Sequence, residues 1–199
     1  MAEELVLASA SPARAHILAA AGLDFRVEAA ALDEEALKRA FKADGAPVSE
    51  CAAALAEAKA RRISQRHPAA LVLGADQILV CGDSWFDKPA DGAEARAQLQ
   101  ALRGRTHELV TAACVVAAGE PIWRGLSRPL LRMRDFSDDF LDAYLAAEGT
   151  AILGSVGAYR LEGRGIQLFT QVDGDYFAVL GLPLFPLLAF LRNRGALPQ

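Results

Sequence analysis

Leu71-Val72-Leu73-Gly74-Ala75-Asp76-Gln77-Ile78-Leu79-Val80 is the stretch around which the rest of the chain arranges itself. Its nearly continuous apolar character predicts a strand covered on both faces, as in sheets flanked by helices. Only Gly74-Ala75-Asp76-Gln77 interrupts the apolar run. Asp76 is its one ionisable group, and a carboxylate in such surroundings needs a partner or a metal, or it takes up a proton. Strand ends in α/β proteins collect functional residues, which makes Asp76 a candidate for chemistry. The plainer alternative is an acid capping a neighbouring turn.

Upstream, Glu4 to Ala8 reads as a short buried strand, Ser9 to Pro12 as a turn, and Ala13 to Ala21 as a helix stopped by Gly22. Phe25 to Glu28 is a second short strand, Asp33 to Phe41 a helix broken at Asp44-Gly45. Pro47 opens a long helix to about Ser64, ended by Pro68. Downstream, Cys81 to Ser84 is a hairpin turn, and Ala93 to Leu102 is a helix with Asp91 as its cap and Gly104 as its stop. His107 to Ala117 and Pro121 to Met133 form a long antiparallel pair joined by Ala118-Gly119-Glu120. Ser137 caps a helix over Asp138 to Ala147, a strand covers Ile166 to Val172, and a closing helix follows Pro183. Strands and helices interleave, so the expected class is α/β, a mixed twisted sheet flanked by helices.

The 199 residues fit one domain spanning 1–199, with 53% hydrophobic residues and 23% charged ones supporting a large core. Lys and Arg number 21 against 25 Asp and Glu, a net charge of −4, which argues against a nucleic acid polymer as partner. A small anion needs only a few cations and stays allowed. Phe177 to Leu191 carries no charge, but it is too short to span a bilayer and holds Pro183 and Pro186, so it is expected to be buried rather than membrane-inserted. The acidic start lacks the pattern of a signal peptide, and Cys51, Cys81 and Cys114 are odd in number and far apart. These features point to a reduced, cytoplasmic protein without a membrane partner.

Further candidates lie elsewhere. Ser9, Ser11 and Arg14 surround a strand-to-helix turn, where free backbone N–H groups and the helix dipole favour an anion. Ser11 as N-cap with Pro12 in the first helical position accounts for the same residues without a ligand. Only four of the basic residues are lysines, which singles out Lys59 and Lys88, although two solvated lysines are the bland alternative. Glu162 lies among the glycines of 154–165, where a loop acid is the default. The histidines, His16, His67 and His107, are isolated and form no metal-binding pair.

Taken in order along nearly the whole chain, these pieces resemble the Maf family of nucleoside triphosphate pyrophosphatases, whose fold is related to that of the inosine triphosphatases. Leu7-Ala8-Ser9-Ala10-Ser11-Pro12-Ala13-Arg14 matches the opening motif, followed by Asp33-Glu34 and Leu55-Ala56-Glu57-Ala58-Lys59-Ala60. Gly74-Ala75-Asp76, Lys88-Pro89, Gly104 with His107, Gly157-Ala158-Tyr159, Glu162-Gly163, Gly174-Asp175-Tyr176 and Gly181-Leu182-Pro183-Leu184 complete the set. The resemblance implies two lobes around a central cleft and hydrolysis of a nucleoside triphosphate to monophosphate and pyrophosphate with Mg²⁺ or Mn²⁺. It implies that Ser9, Ser11 and Arg14 hold the triphosphate, that Lys59 and Lys88 offset the charge of the departing pyrophosphate, and that Asp76 activates water or holds the ion that does. Glu34 joins Asp76 as a metal ligand. A homodimer and a link to septum formation are family-level expectations, the latter leaving open a nucleotide-binding regulator with little turnover. Ala13 stands where the family usually carries Arg, Gln77 where many members carry Thr, and Glu162 where many carry Gln. Gln77 and Glu162 look like the subgroup acting on 7-methyl-GTP rather than that acting on dTTP and UTP. A carboxylate favours a cationic methylated base. Ala13, however, lacks the aromatic ring which that subgroup places after Ser-Pro.

Overall fold

A computed structural model describes residues 3–198. The chain forms two compact units: one built from the residues up to Gln77, Thr111–Ser127 and the residues from Leu180, the other from Ile78–Val110 and Arg128–Val179. The expected class is borne out: the eight strands among the described residues make a mixed sheet accompanied by helices.

In the first unit, strand β1 (Leu5–Leu7) is fully buried and leads into helix α1 (Pro12–Ala20). Strand β2 (Arg26–Val27) pairs in parallel with β1, with Val6 opposite Arg26. Helix α2 (Glu34–Ala43) starts where Asp33 accepts from the Ala36 N–H at 2.9 Å. Helix α3 (Val48–Ser64) then presents Ala52, Ala56 and Ala60, all buried, along one stripe. It ends before Pro68, its last turns closing on Gln65.

Strand β3 (Leu71–Cys81) lies parallel to β1, with Leu5 opposite Leu71 and Leu7 opposite Leu73. It runs through Gly74-Ala75-Asp76-Gln77 as one strand, as expected. The small side chains explain how α3 meets it. A Cβ on Gly74 would stand 2.1 Å from the Ala56 carbonyl oxygen and 2.8 Å from the Ala60 nitrogen, so only a glycine lets helix and strand approach this closely. Residues two apart share a strand face, so Gly74 and Asp76 both look toward α3.

In the second unit, β3 turns back into β4 (Ser84–Phe86), and helix α4 (Gly92–Leu102) is capped by Asp91, as expected. Strand β5 (Thr106–Ala117) begins here and continues into the first unit, where it pairs with β6 (Glu120–Ser127). The expected single return strand to Met133 is in fact two: Pro129, with no N–H to donate, separates β6 from β7 (Leu130–Met133). Helix α5 (Asp138–Glu148) has its Ser137 cap. Tight 3₁₀ turns over Gly149–Gly154, Val156–Ala158 and Arg164–Leu168 follow, so β8 (Phe169–Asp173) starts later than the periodicity predicts. A short helix α6 (Tyr176–Val179) has no counterpart in the sequence reading.

Helix α7 (Leu184–Asn193) closes the first unit by stacking Phe190 on Trp123 of β6 with ring centres 5.6 Å apart. The expected burial of 177–191 holds for Leu182, Leu184, Leu187 and Leu191 but not for Phe185, which is 65% exposed because it lies on the outer face of α7. No helix among the described residues is long and apolar enough to cross a membrane.

Replacing Gly74 by alanine should push α3 off β3 and lower stability by about 1–3 kcal/mol, the usual range for overpacking. Denaturant unfolding of Gly74→Ala beside the parent chain measures it, and an unchanged midpoint would contradict the close packing.

Candidate active site

The first unit gathers seven of the residues singled out in the sequence. The turn between β1 and α1 brings in Ser9, Ser11 and Arg14. Ser11 is the N-cap its position predicts, its hydroxyl accepting from the Arg14 N–H at 3.4 Å. The Ser9 hydroxyl accepts from the Ser11 N–H at 3.2 Å and from Arg14 Nη1 at 3.0 Å. Both hydroxyls therefore hold the turn in shape.

Arg14 is buried, which for an arginine requires several acceptors. Its Nε donates to the Gly181 carbonyl at 2.9 Å, and Nη1 donates to the Ala75 carbonyl at 3.0 Å as well as to Ser9. Nη2 makes no hydrogen bond among the described residues. Burial lowers the pKa of this guanidinium from its ordinary value, while Asp76 and Glu34 oppose that shift. Gly181 accepts this contact with φ of +106°, and a Cβ there would lie 3.1 Å from Arg14 Nε. The Gly181 and Ala75 carbonyls are contributors that the sequence reading left without a role; main-chain acceptors leave no side-chain signal.

Glu34 sits in the first turn of α2, Lys59 two-thirds along α3, and Asp76 in mid-strand on β3. Asp76 is only 4% exposed. Lys59 Nζ donates to Asp76 Oδ1 at 2.6 Å and lies 2.9 Å from Glu34 Oε2. One ammonium thus bridges two carboxylates. Asp76 Oδ2 is buried and has no hydrogen-bond partner among the described residues. A bare carboxylate oxygen in such a place is costly and marks where a further donor or cation belongs.

Gln77, on the opposite face of β3, donates from Nε2 to the Thr111 hydroxyl at 2.8 Å. Thr111 is fully buried, a polar residue in the apolar run of β5. A polar group in an apolar run is the kind of signal that marks Asp76, weaker here because a hydroxyl carries no charge.

Lys88 and Glu162 belong to the second unit. Lys88 is exposed, next to the buried Pro89 just after β4. Glu162 lies between the second and third 3₁₀ turns, and Arg160 Nε donates to its Oε1 at 3.3 Å while Arg160 Nη1 lies 3.9 Å from Glu148 Oε2. That loop is anchored from below by Tyr159, whose hydroxyl meets His107 Nε2 at 2.8 Å, and by the Tyr144 hydroxyl, which donates to the Ala158 carbonyl at 3.3 Å. Burial pushes His107 down to about 4, so it is neutral near pH 7 and serves as a packed hydrogen-bonding group.

A family model described as Maf-like protein matches residues 4–194. A protein of Granulibacter bethesdensis named nucleoside triphosphate pyrophosphatase is 53% identical over 98% of this chain and 98% of its own. One from Paramagnetospirillum magneticum with the same name is 53% identical over 96% of this chain and 99% of its own. One from Mesorhizobium japonicum named 7-methyl-GTP pyrophosphatase is 48% identical over 99% of both. Nearly the whole chain is covered in each case, and the chain belongs to the Maf-like protein family.

Proposed function

We propose that this chain is a hydrolase that cleaves a nucleoside triphosphate between the α- and β-phosphorus, releasing the monophosphate and pyrophosphate. The observation that carries the reading is the buried Asp76 carboxylate with Lys59 on one oxygen and no partner among the described residues on the other. The names of its full-length relatives support the same reaction class.

Glu34 and Asp76 are the residues that would hold a divalent cation. Carboxylate oxygens suit Mg²⁺ or Mn²⁺, and the bare Asp76 Oδ2 gives such an ion an oxygen to reach. When bound, such an ion supplies Lewis-acid screening of phosphate charge and a lower pKa for water. The chain's own residues do the rest. Asp76 draws the proton from the water that attacks the α-phosphorus. Lys59 and Lys88 offset the negative charge that builds on the leaving pyrophosphate. Ser9, Ser11 and Arg14 present the N-terminus of α1 to the triphosphate, with Nη2 of Arg14 as the donor left for a phosphate oxygen. Attack in line with the leaving oxygen needs little covalent help beyond this positioning.

For the base we propose a methylated, cationic purine, 7-methyl-GTP, with Gln77 and Glu162 as the residues that select it. Glu162 supplies the negative charge, and Arg160 beside it weakens that charge. A pair this exposed is worth at most about 1 kcal/mol. We also propose a cytoplasmic setting, in keeping with the free thiols of Cys51, Cys81 and Cys114, and a homodimer.

Pyrophosphate release across a panel of nucleotides with Mn²⁺ tests the reaction; tight binding without release of pyrophosphate would instead mark a nucleotide-binding regulator. Asp76→Asn should lower kcat by about a hundredfold or more, the range for loss of a general base, with the folded state retained by circular dichroism. Glu162→Gln should lower the ratio of 7-methyl-GTP to UTP turnover by about fivefold, and Arg160→Gln, which removes the counter-charge, should raise it by about two- to fivefold. A ratio that ignores both substitutions would reject Glu162 as the selecting residue.

A further inference from the structure

Lys59 presents a single positive charge to two carboxylates, Asp76 Oδ1 at 2.6 Å and Glu34 Oε2 at 2.9 Å, leaving the trio with a net charge of −1. A dication held by the same pair would have that ammonium as a near neighbour, and like charges at such a distance repel strongly away from bulk water. Lys59 cannot simply withdraw into solvent, because its side chain is buried along α3 beside Ala56 and Ala60, which lie against Gly74. Asp76 Oδ2 nevertheless offers an oxygen that Lys59 does not occupy. The site is thus built to accept a second cation and, at the same time, to oppose it.

We propose that Lys59 acts as a resident competitor that keeps the affinity of the Glu34–Asp76 pair for a free divalent cation low, so that the cation enters with the nucleotide's phosphates and leaves with pyrophosphate. The inference rests on the reading of Glu34 and Asp76 as the metal-holding pair. A triphosphate brings negative oxygens that Lys59 can face, which removes the imbalance and lets ammonium and dication coexist. Departure of pyrophosphate restores it, so the ion has no reason to stay behind. The metal is on this account a co-substrate rather than a permanent fixture.

The test measures Mn²⁺ binding to the full chain with the metal alone, by water-proton relaxation. Lys59→Gln should bind Mn²⁺ about tenfold or more tightly than the parent chain, whereas Lys59→Arg, which keeps the charge, should match the parent. Glu34→Gln and Asp76→Asn should weaken binding in the parent. If they leave it unchanged, the metal-holding reading itself fails; if they weaken it while Lys59→Gln binds no more tightly than the parent, only the role given to Lys59 fails. Thermal unfolding gives a second readout. Lys59→Gln, with two carboxylates left facing each other, should lose stability without metal and gain more from Mn²⁺ than the parent does. An equal or smaller gain, or a variant that stays unfolded even with Mn²⁺, would overturn the proposal, since a dication between Glu34 and Asp76 should replace the missing ammonium.

Discussion

The contact on which the first unit depends is the bond from the Lys59 ammonium to the Asp76 carboxylate inside the seam between α3 and β3. Breaking a buried pair by removing one partner typically costs about 3–5 kcal/mol, because the other charge is left stranded. The alanine stripe of α3 over Gly74 brings helix and strand close together around the pair and keeps it dry. The apolar residues around it need nothing but burial. The two charged groups need each other, and so they fix the rotation of the helix and the register at which it meets the strand.

A second layer of constraint comes from Arg14. By donating to the Ala75 carbonyl it holds the peptide immediately before Asp76, and by donating to Ser9 it holds the turn that opens α1. The sequence marks Arg14 as a phosphate ligand only; its place in the fold makes it also a strut between the turn and the strand. The strut uses Nε and Nη1, which leaves Nη2 of the same fork of donors for the phosphate role proposed above.

Much of this was legible in the sequence because each signal had a local physical cause. Asp76 stood out as the lone charge in an apolar strand, Ser11 and Pro12 as a helix start, and Gly22 as its stop. What meets the Asp76 charge is not legible along the chain, because Lys59 stands 17 residues away. Pro129 was read through, although its missing N–H ends the strand, and the 3₁₀ turns after α5 carry no periodicity to detect. Lys88 and Glu162 were singled out by motif and by charge. What the motif could not convey was the counter-charge at Arg160, which depends on how the loop after Tyr159 folds back.

The bond from Arg14 to the Gly181 carbonyl spans 167 positions of sequence. Contacts so distant along the chain are late to form, since the intervening loop must first be ordered. During synthesis the turn at Ser9 to Arg14 leaves the ribosome among the earliest segments, yet Nε of its arginine lacks its acceptor until the segment before α7 has emerged. A nascent or truncated chain ending short of that segment leaves Arg14 Nε without its acceptor, although Ser9 and Ala75 are there to meet Nη1. Completion of translation thereby becomes a condition for holding Arg14 on all three of its acceptors.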